Sequence, residues 1–181
     1  MTYKSLCYHG TSLQNAESIL EKGFKISCGN DHWLGDGVYF FENDGEMAID
    51  WCIAEGSKRG YNKYVVLHSE ICASEEYIYN LTEPEGRKLF HEFRRIFINK
   101  VAKGEYSVGI KNKHVLDGAI INKLCQLFPY KLIISSMFVQ QVEDRRKKDF
   151  SRIPNCVIVC VRDVTFCNND IQIYKEGVIN E

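Results

Sequence analysis

Proline is scarce, with three in 181 residues, and the chain has no internal repeats and no low-complexity tracts. Nothing therefore marks a linker, and one compact domain spanning residues 1–181 is expected. No apolar run approaches the roughly 20 residues that a membrane helix needs. The N-terminal Met1-Thr2-Tyr3-Lys4 leads straight into strand-like sequence and not into a leader. These absences predict a soluble, cytoplasmic protein with no membrane partner. The eight cysteines, at 7, 28, 52, 72, 125, 156, 160 and 167, contain no Cys-x-x-Cys pair. Cys156 and Cys160 would share one face of a strand, yet no histidine partner completes a ligand set, so no metal is expected. Reduced thiols acting as small hydrophobes fit the pattern better.

Net charge is also nearly absent, at -1, but its distribution is uneven. Residues 1–86 carry 6 basic and 14 acidic groups, a net of -8, and residues 87–114 carry 8 basic and 2 acidic, a net of +6. The remaining residues have 9 basic against 8 acidic. An anion-facing surface is therefore expected in the middle third.

What is present is a 45% apolar chain with periodic segments. Ser12 to Lys22 reads as a helix with Leu13, Ala16, Ile19 and Leu20 on one face; Thr11 and Gln14 have capping-box spacing, and Gly23 is the stop. Phe24 to Cys28 reads as a short strand, followed by a turn at 29–32 that would overlie Gly35-Asp36-Gly37. Asp44 to Gly56 reads as a second helix on Met47, Trp51 and Ala54, and Tyr64 to Ile71 as a half-buried strand. Thr82 and Glu85 predict a capping box for a long helix to about Val101, built on Leu89, Phe90, Phe93, Ile96 and Phe97. Arg87, Lys88, Arg94, Arg95, Lys100 and Lys103 lie on its other side, as a solvated face or an acceptor-binding one. A helix at 117–128 and a strand at 131–139 come next, then a charged segment at 143–149 that reads as an exposed loop. Cys156 to Val161 is the strongest strand and should be central; Ile171 to Tyr174 would close the sheet.

Two stretches carry the chemistry. The first, Cys7-Tyr8-His9-Gly10-Thr11, ends a short apolar strand with an imidazole, a bare backbone and a hydroxyl. The second, Trp33-Leu34-Gly35-Asp36-Gly37-Val38-Tyr39-Phe40-Phe41, places one glycine for a turn and another for close backbone approach, before a run from which Tyr39 projects. In this order and spacing the two stretches resemble the ADP-ribosyltransferase superfamily, in its poly(ADP-ribose) polymerase-like branch with a His-Tyr-Glu signature. The resemblance implies an α+β fold: one ADP-ribosyltransferase-like domain, with mixed, mostly antiparallel sheets split around an NAD cleft and flanked by helices. It implies NAD as substrate, with His9 on the adenosine-side ribose and the Gly10 backbone on the nicotinamide amide. Tyr39 would stack on the ring, and Thr11 and Gly37 would lie beside the ligand. Trp51 lies close to the family's helix aromatic that stacks on nicotinamide, although on this pattern it also suits a core position.

The family's third residue is a glutamate entering a late strand. Matching Val161-Arg162-Asp163 to the end of that strand puts Ile158 at the glutamate position. An isoleucine neither accepts a proton nor holds a hydroxyl, so the resemblance implies transfer of a single ADP-ribose unit. With another register Asn155, Gln141 or Glu143 would supply the polar group; Gln141-Val142-Glu143 is similar to the arginine-modifying branch, which has Arg in place of His9.

Three functions are open at this level. The first is a mono-ADP-ribosyltransferase of toxin or antiviral-defence type, restrained by a partner such as an antitoxin. The second is an inactive NAD- or ADP-ribose-binding module, and the third is RNA 2'-phosphotransferase chemistry. The charge map points to a nucleic-acid acceptor, RNA before DNA, contacted by Arg94, Arg95, Arg145 and Arg146, with a protein acceptor as the alternative.

Overall fold

A computed structural model of the chain describes residues 2–29, 32–106 and 116–179. Part of the expected turn, residues 30 and 31, and the cations Lys111 and Lys113 of the basic stretch lie outside the described residues.

The first strand, β1 (Thr2–Ser12), runs past His9 and gives way directly to α1 (Leu13–Lys22). Ser12, and not Thr11, caps this helix, accepting from the Asn15 amide at 3.3 Å. Thr11 is therefore free to stay in the strand opposite Val65. Gly23 ends α1 at φ +77. Leu20, expected in the core, is exposed, and Ala16 is the buried residue. The strand expected at 24–28 reduces to one bridge, Ser27 to Gly37, because the Phe24 amide is claimed by the Asn168 side chain at 2.7 Å.

Then follow β2 (Val38–Glu42), α2 (Gly45–Arg59), β3 (Lys63–Ser74), β4 (Ile78–Asn80) and α3 (Pro84–Ala102). Asp44 caps α2 by accepting from the Met47 amide, and the helix continues to Gly60 in the left-handed region. Thr82 does not cap α3: its amide and hydroxyl both go to Asn80 Oδ1, and Pro84 opens the helix. Phe90 and Phe97 are buried on α3, whereas Ile96 is half in solvent, so its apolar stripe is narrower than expected.

The chain ends with α4 (Leu116–Leu127), β5 (Leu132–Met137), α5 (Val142–Lys147), β6 (Cys156–Val161) and β7 (Gln172–Val178). The charged loop expected at 143–149 is instead the short helix α5, with a capping box between Gln141 and Asp144. Acidic residues in its first turn and basic ones in its last complement the helix dipole, so this charge pattern favours a helix.

The described strands form one sheet in the order β4-β5-β6-β2-β1-β3-β7, antiparallel except where β4 meets β5. β6 is interior, as its continuous apolar run requires, and β7 lies at one edge. Side-chain alternation separates two cores. Phe41, Ile133, Ile158, Cys160 and Val66 face α2, α3 and α4, while Phe40, Val38, Val159, Val161 and Leu67 face Ala16 of α1 and Phe24. All eight cysteines are free. Burial pushes the thiols of Cys52, Cys156 and Cys160 up to about 12, so they pack as neutral groups. No helix among the described residues is long and apolar enough to cross a membrane.

Candidate functional site

The sheet is divided at one place. β1 pairs with β3 along its whole length, from Thr2 to Ser12, but with β2 only at Cys7–Glu42 and Tyr8–Phe41. Beyond Tyr8 the two strands part, while β2 keeps its pairing with β6 on its other edge, through Phe41–Ile158, Phe40–Val159, Tyr39–Cys160 and Val38–Val161. One backbone edge of His9, Gly10 and Thr11 thus has no strand partner among the described residues, in the interior of a sheet. Buried backbone groups need partners, so such a seam is a natural place for a ligand with hydroxyls and amides. Gly10 is required for a separate reason: a Cβ there would stand 2.5 Å from both Ala48 O and Cys52 Sγ, so only glycine lets α2 lie this close to β1.

His9 bridges the seam. Its Nδ1 lies 2.8 Å from the Tyr39 carbonyl, and because a carbonyl only accepts, Nδ1 carries the proton. The ring rests against Phe24 and Phe40. Burial lowers its pKa and outweighs the opposing bond to Tyr39, so the imidazole is neutral and Nε2 presents a lone pair. A neutral histidine fixed by one nitrogen is a directional acceptor for a ligand hydroxyl.

Tyr39 projects to the other face of the sheet, among the residues that pack with Phe41 and Ile158. Its hydroxyl accepts from the Leu34 amide at 2.9 Å and donates to the Gly35 carbonyl at 2.7 Å, and this pins the turn before β2. Gly35 makes that turn at φ +78, and Gly37 approaches β6 so closely that a Cβ would lie 2.4 Å from Cys160 Sγ. The two glycines thus divide the work as their spacing predicts. Asn122 and Arg162, whose place at this turn has no local signal, complete it. Asn122 Oδ1 accepts from the Asp36 amide at 2.8 Å and from Arg162 Nη1 at 2.8 Å, and Arg162 also donates to the Asp36 carbonyl at 2.7 Å. Tyr39→Phe should remove two hydrogen bonds, lower stability by about 1–3 kcal/mol and loosen the turn. Chemical denaturation followed by the emission of nearby Trp33 would register both changes.

Trp51 is half-buried on α2 and meets Trp33 nearly edge-on, with ring centroids 5.9 Å apart, while the Arg145 guanidinium lies 5.2 Å over its ring. Arg145 is not a free cation. Its Nη1 donates to Glu55 Oε1 at 2.9 Å, and Arg59 Nε reaches Glu55 Oε2 at 2.8 Å. The expected acceptor contact at Arg145 is thus replaced by a clamp that holds α5 on α2, because α5 packs and does not lie in solvent. The one local signal for Glu55 is Arg59, four residues on in the same helix; Arg145 stands far along the chain from it.

Ile158 is 3% exposed, opposite Phe41 on one side and Ser135 on the other, with Cys156 and Cys160 in the same cluster. The polar alternatives are engaged. Asn155 makes two bonds to the Val139 backbone, Gln141 caps α5 and donates to Asp50, and Glu143 pairs with Arg146. Of the other predicted cations, Arg94 lies 3.6 Å from Asp117, and Arg95 and Arg146 are exposed. Two surface clefts, one beside His68 and Asp170 and one beside Tyr3 and Asn80, lie away from these residues.

The sequence profile of the poly(ADP-ribose) polymerase catalytic domain matches residues 2–146. An uncharacterized protein of Methanocaldococcus jannaschii is 36% identical over 85 residues, which cover 46% of this chain. That stretch spans 40% of the archaeal protein's length.

Proposed function

The chain belongs to the poly(ADP-ribose) polymerase catalytic domain family, and from that premise we propose that it transfers a single ADP-ribose unit from NAD to a macromolecular acceptor, nucleic acid before protein. The observation that supports the reading best is the seam between β1 and β2, where an unpaired strand edge meets a neutral His9 fixed through Nδ1. These residues fit the donor. Nε2 of His9 would accept from a ribose hydroxyl, the open backbone of Gly10 would take the nicotinamide amide, and Trp33, Tyr39 and Trp51 offer aromatic surface for a flat ring. In the reaction the bond between ribose and nicotinamide breaks and its electron pair leaves with nicotinamide. The ribose carbon gains a bond to the acceptor atom, whose proton passes to solvent. The chain's own contribution is to orient the leaving group and to shield the developing cation.

Ile158 supports single-unit transfer, because nothing at that position activates a ribose hydroxyl for a second unit. The same residue favours the second reading, a module that binds NAD or ADP-ribose without turnover. Incubating the protein with NAD labelled on the adenosine side, then separating protein, RNA and DNA, decides between them. Covalent label in nucleic acid is the expected result. Label in protein alone overturns the acceptor, and label that stays in free nucleotide overturns transfer. Modification of cellular nucleic acid would arrest growth, which is the behaviour of a toxin or antiviral effector held by a restraining partner.

A further inference from the structure

From the last turn of α5 toward β6 the chain reads Arg146, Lys147, Lys148, Asp149, Phe150, Ser151, Arg152, Ile153. Phe150 is 73% exposed and Ile153 77%, more than any other large apolar side chain among the described residues. Their exposure is built into a fixed loop. The Asp149 amide donates to the Asp144 carbonyl at 2.9 Å, and Gln140 Nε2 donates to the Asp149 carbonyl. Lys148 turns the chain at φ +57, and Ser151 Oγ accepts from the Ile153 amide at 3.0 Å. Phe138 meets Phe150 at 82° with centroids 5.4 Å apart, which steadies the ring and leaves most of it in solvent.

Lys147, Lys148 and Arg152 are exposed and have no ion pair among the described residues, and Arg146 pairs with Glu143 only at a solvated site. Glu143 and Asp144 lie in the first turn of α5, where Asp144 caps the helix and Glu143 is taken by Arg146. Cations thus flank an aromatic ring on a rigid loop. Through Arg145 and Glu55 the same helix is fastened to α2 beside Trp51, so the loop leaves a helix that borders the proposed donor site without entering it.

We propose that this loop is a platform for single-stranded nucleic acid, on which Phe150 stacks against an unpaired base while Lys147, Lys148 and Arg152 contact the backbone phosphates. The proposal rests on the nucleic-acid acceptor reading and locates where that acceptor lies.

The test is fluorescence anisotropy with a dye-labelled, mixed-sequence single-stranded RNA 20-mer and the full chain, at two salt concentrations. Wild-type binding should weaken as salt rises. Phe150→Ala should bind about tenfold more weakly, and Lys147→Glu/Lys148→Glu more weakly still with a shallower salt dependence. Both variants should unfold cooperatively and keep the thermal shift produced by NAD. Undiminished RNA binding by Phe150→Ala overturns the platform, as does equal affinity for a duplex of the same sequence, or Phe150-dependent binding to anionic vesicles without binding to RNA. The underlying reading fails separately: if RNA binding depends on Phe150 while labelled NAD marks protein only, the platform stands and the acceptor assignment falls.

Discussion

His9→Ala will reduce ADP-ribosyl transfer about a hundredfold or more in a chain that still unfolds cooperatively. The imidazole joins β1 to the Tyr39 carbonyl across the gap and leaves Nε2 as an acceptor, so its loss removes the proposed ligand contact together with the element that sets its direction. Alanine also leaves the Tyr39 carbonyl without a donor and opens space against the Phe24–Phe40 pair, at a cost of about 2–3 kcal/mol. His9→Gln separates the two effects, because it can keep the donor to Tyr39 and so recover stability, with transfer still impaired. The pH dependence has a definite sign. Burial depresses the folded pKa, so the contribution of neutral His9 is complete above the unfolded value of about 6.5 and is lost as pH falls through the lower folded value. Transfer rates and denaturation midpoints for the three proteins give the check; His9→Ala with near-normal transfer would overturn the site.

Glu55→Ala will be the most destabilising of the single substitutions considered, by about 3–5 kcal/mol. The carboxylate side chain is 6% exposed and accepts from both Arg145 and Arg59, so alanine strands Arg145, itself only 26% exposed, over Trp51. Helix α5 then loses its clamp to α2, and transfer should fall with it. Glu55→Gln, which keeps one acceptor, should cost less. Burial pushes the Glu55 carboxyl up, but hydrogen bonds from Arg145 and Arg59 outweigh it and hold the group below the usual carboxylate range. Its stabilisation is accordingly complete above about pH 4.3 and lost as pH falls through the lowered folded value. Urea denaturation of wild type and Glu55→Gln across that interval measures the difference; parallel curves at every pH would show that the clamp carries no such energy.

Much of the site could be read locally, because its parts are local. His9, Gly10, Gly35, Gly37 and Tyr39 sit in two short stretches whose backbone demands are written in residue type: Gly35 needs positive φ, and Gly10 and Gly37 need the absence of a Cβ. The continuous apolar run of β6 likewise declared a strand covered on both faces. Distant pairings could not be read. Glu55 and Arg145 lie 90 positions apart, and Asp50 and Ala54 stand as far from the charged run that they help to pack as a helix. Strand β4 has three residues and owes its existence to β5, and the cap of α1 moved from Thr11 to Ser12 because β3 extends β1 by pairing. Asn122 and Arg162 met the turn before β2 only once α4 and β6 had been brought beside it.

The seam also divides the molecule mechanically. The strands β4, β5, β6 and β2 form one hydrogen-bonded block and β1, β3 and β7 another, joined through the sheet only near Cys7 and Tyr8. Side chains packed on both faces of the sheet still join the blocks, so the seam is the place where a local opening breaks the fewest backbone bonds. The proposed ligand, lying across the seam, would add contacts to both blocks where the sheet lacks backbone bonds, and its occupancy would suppress that local opening.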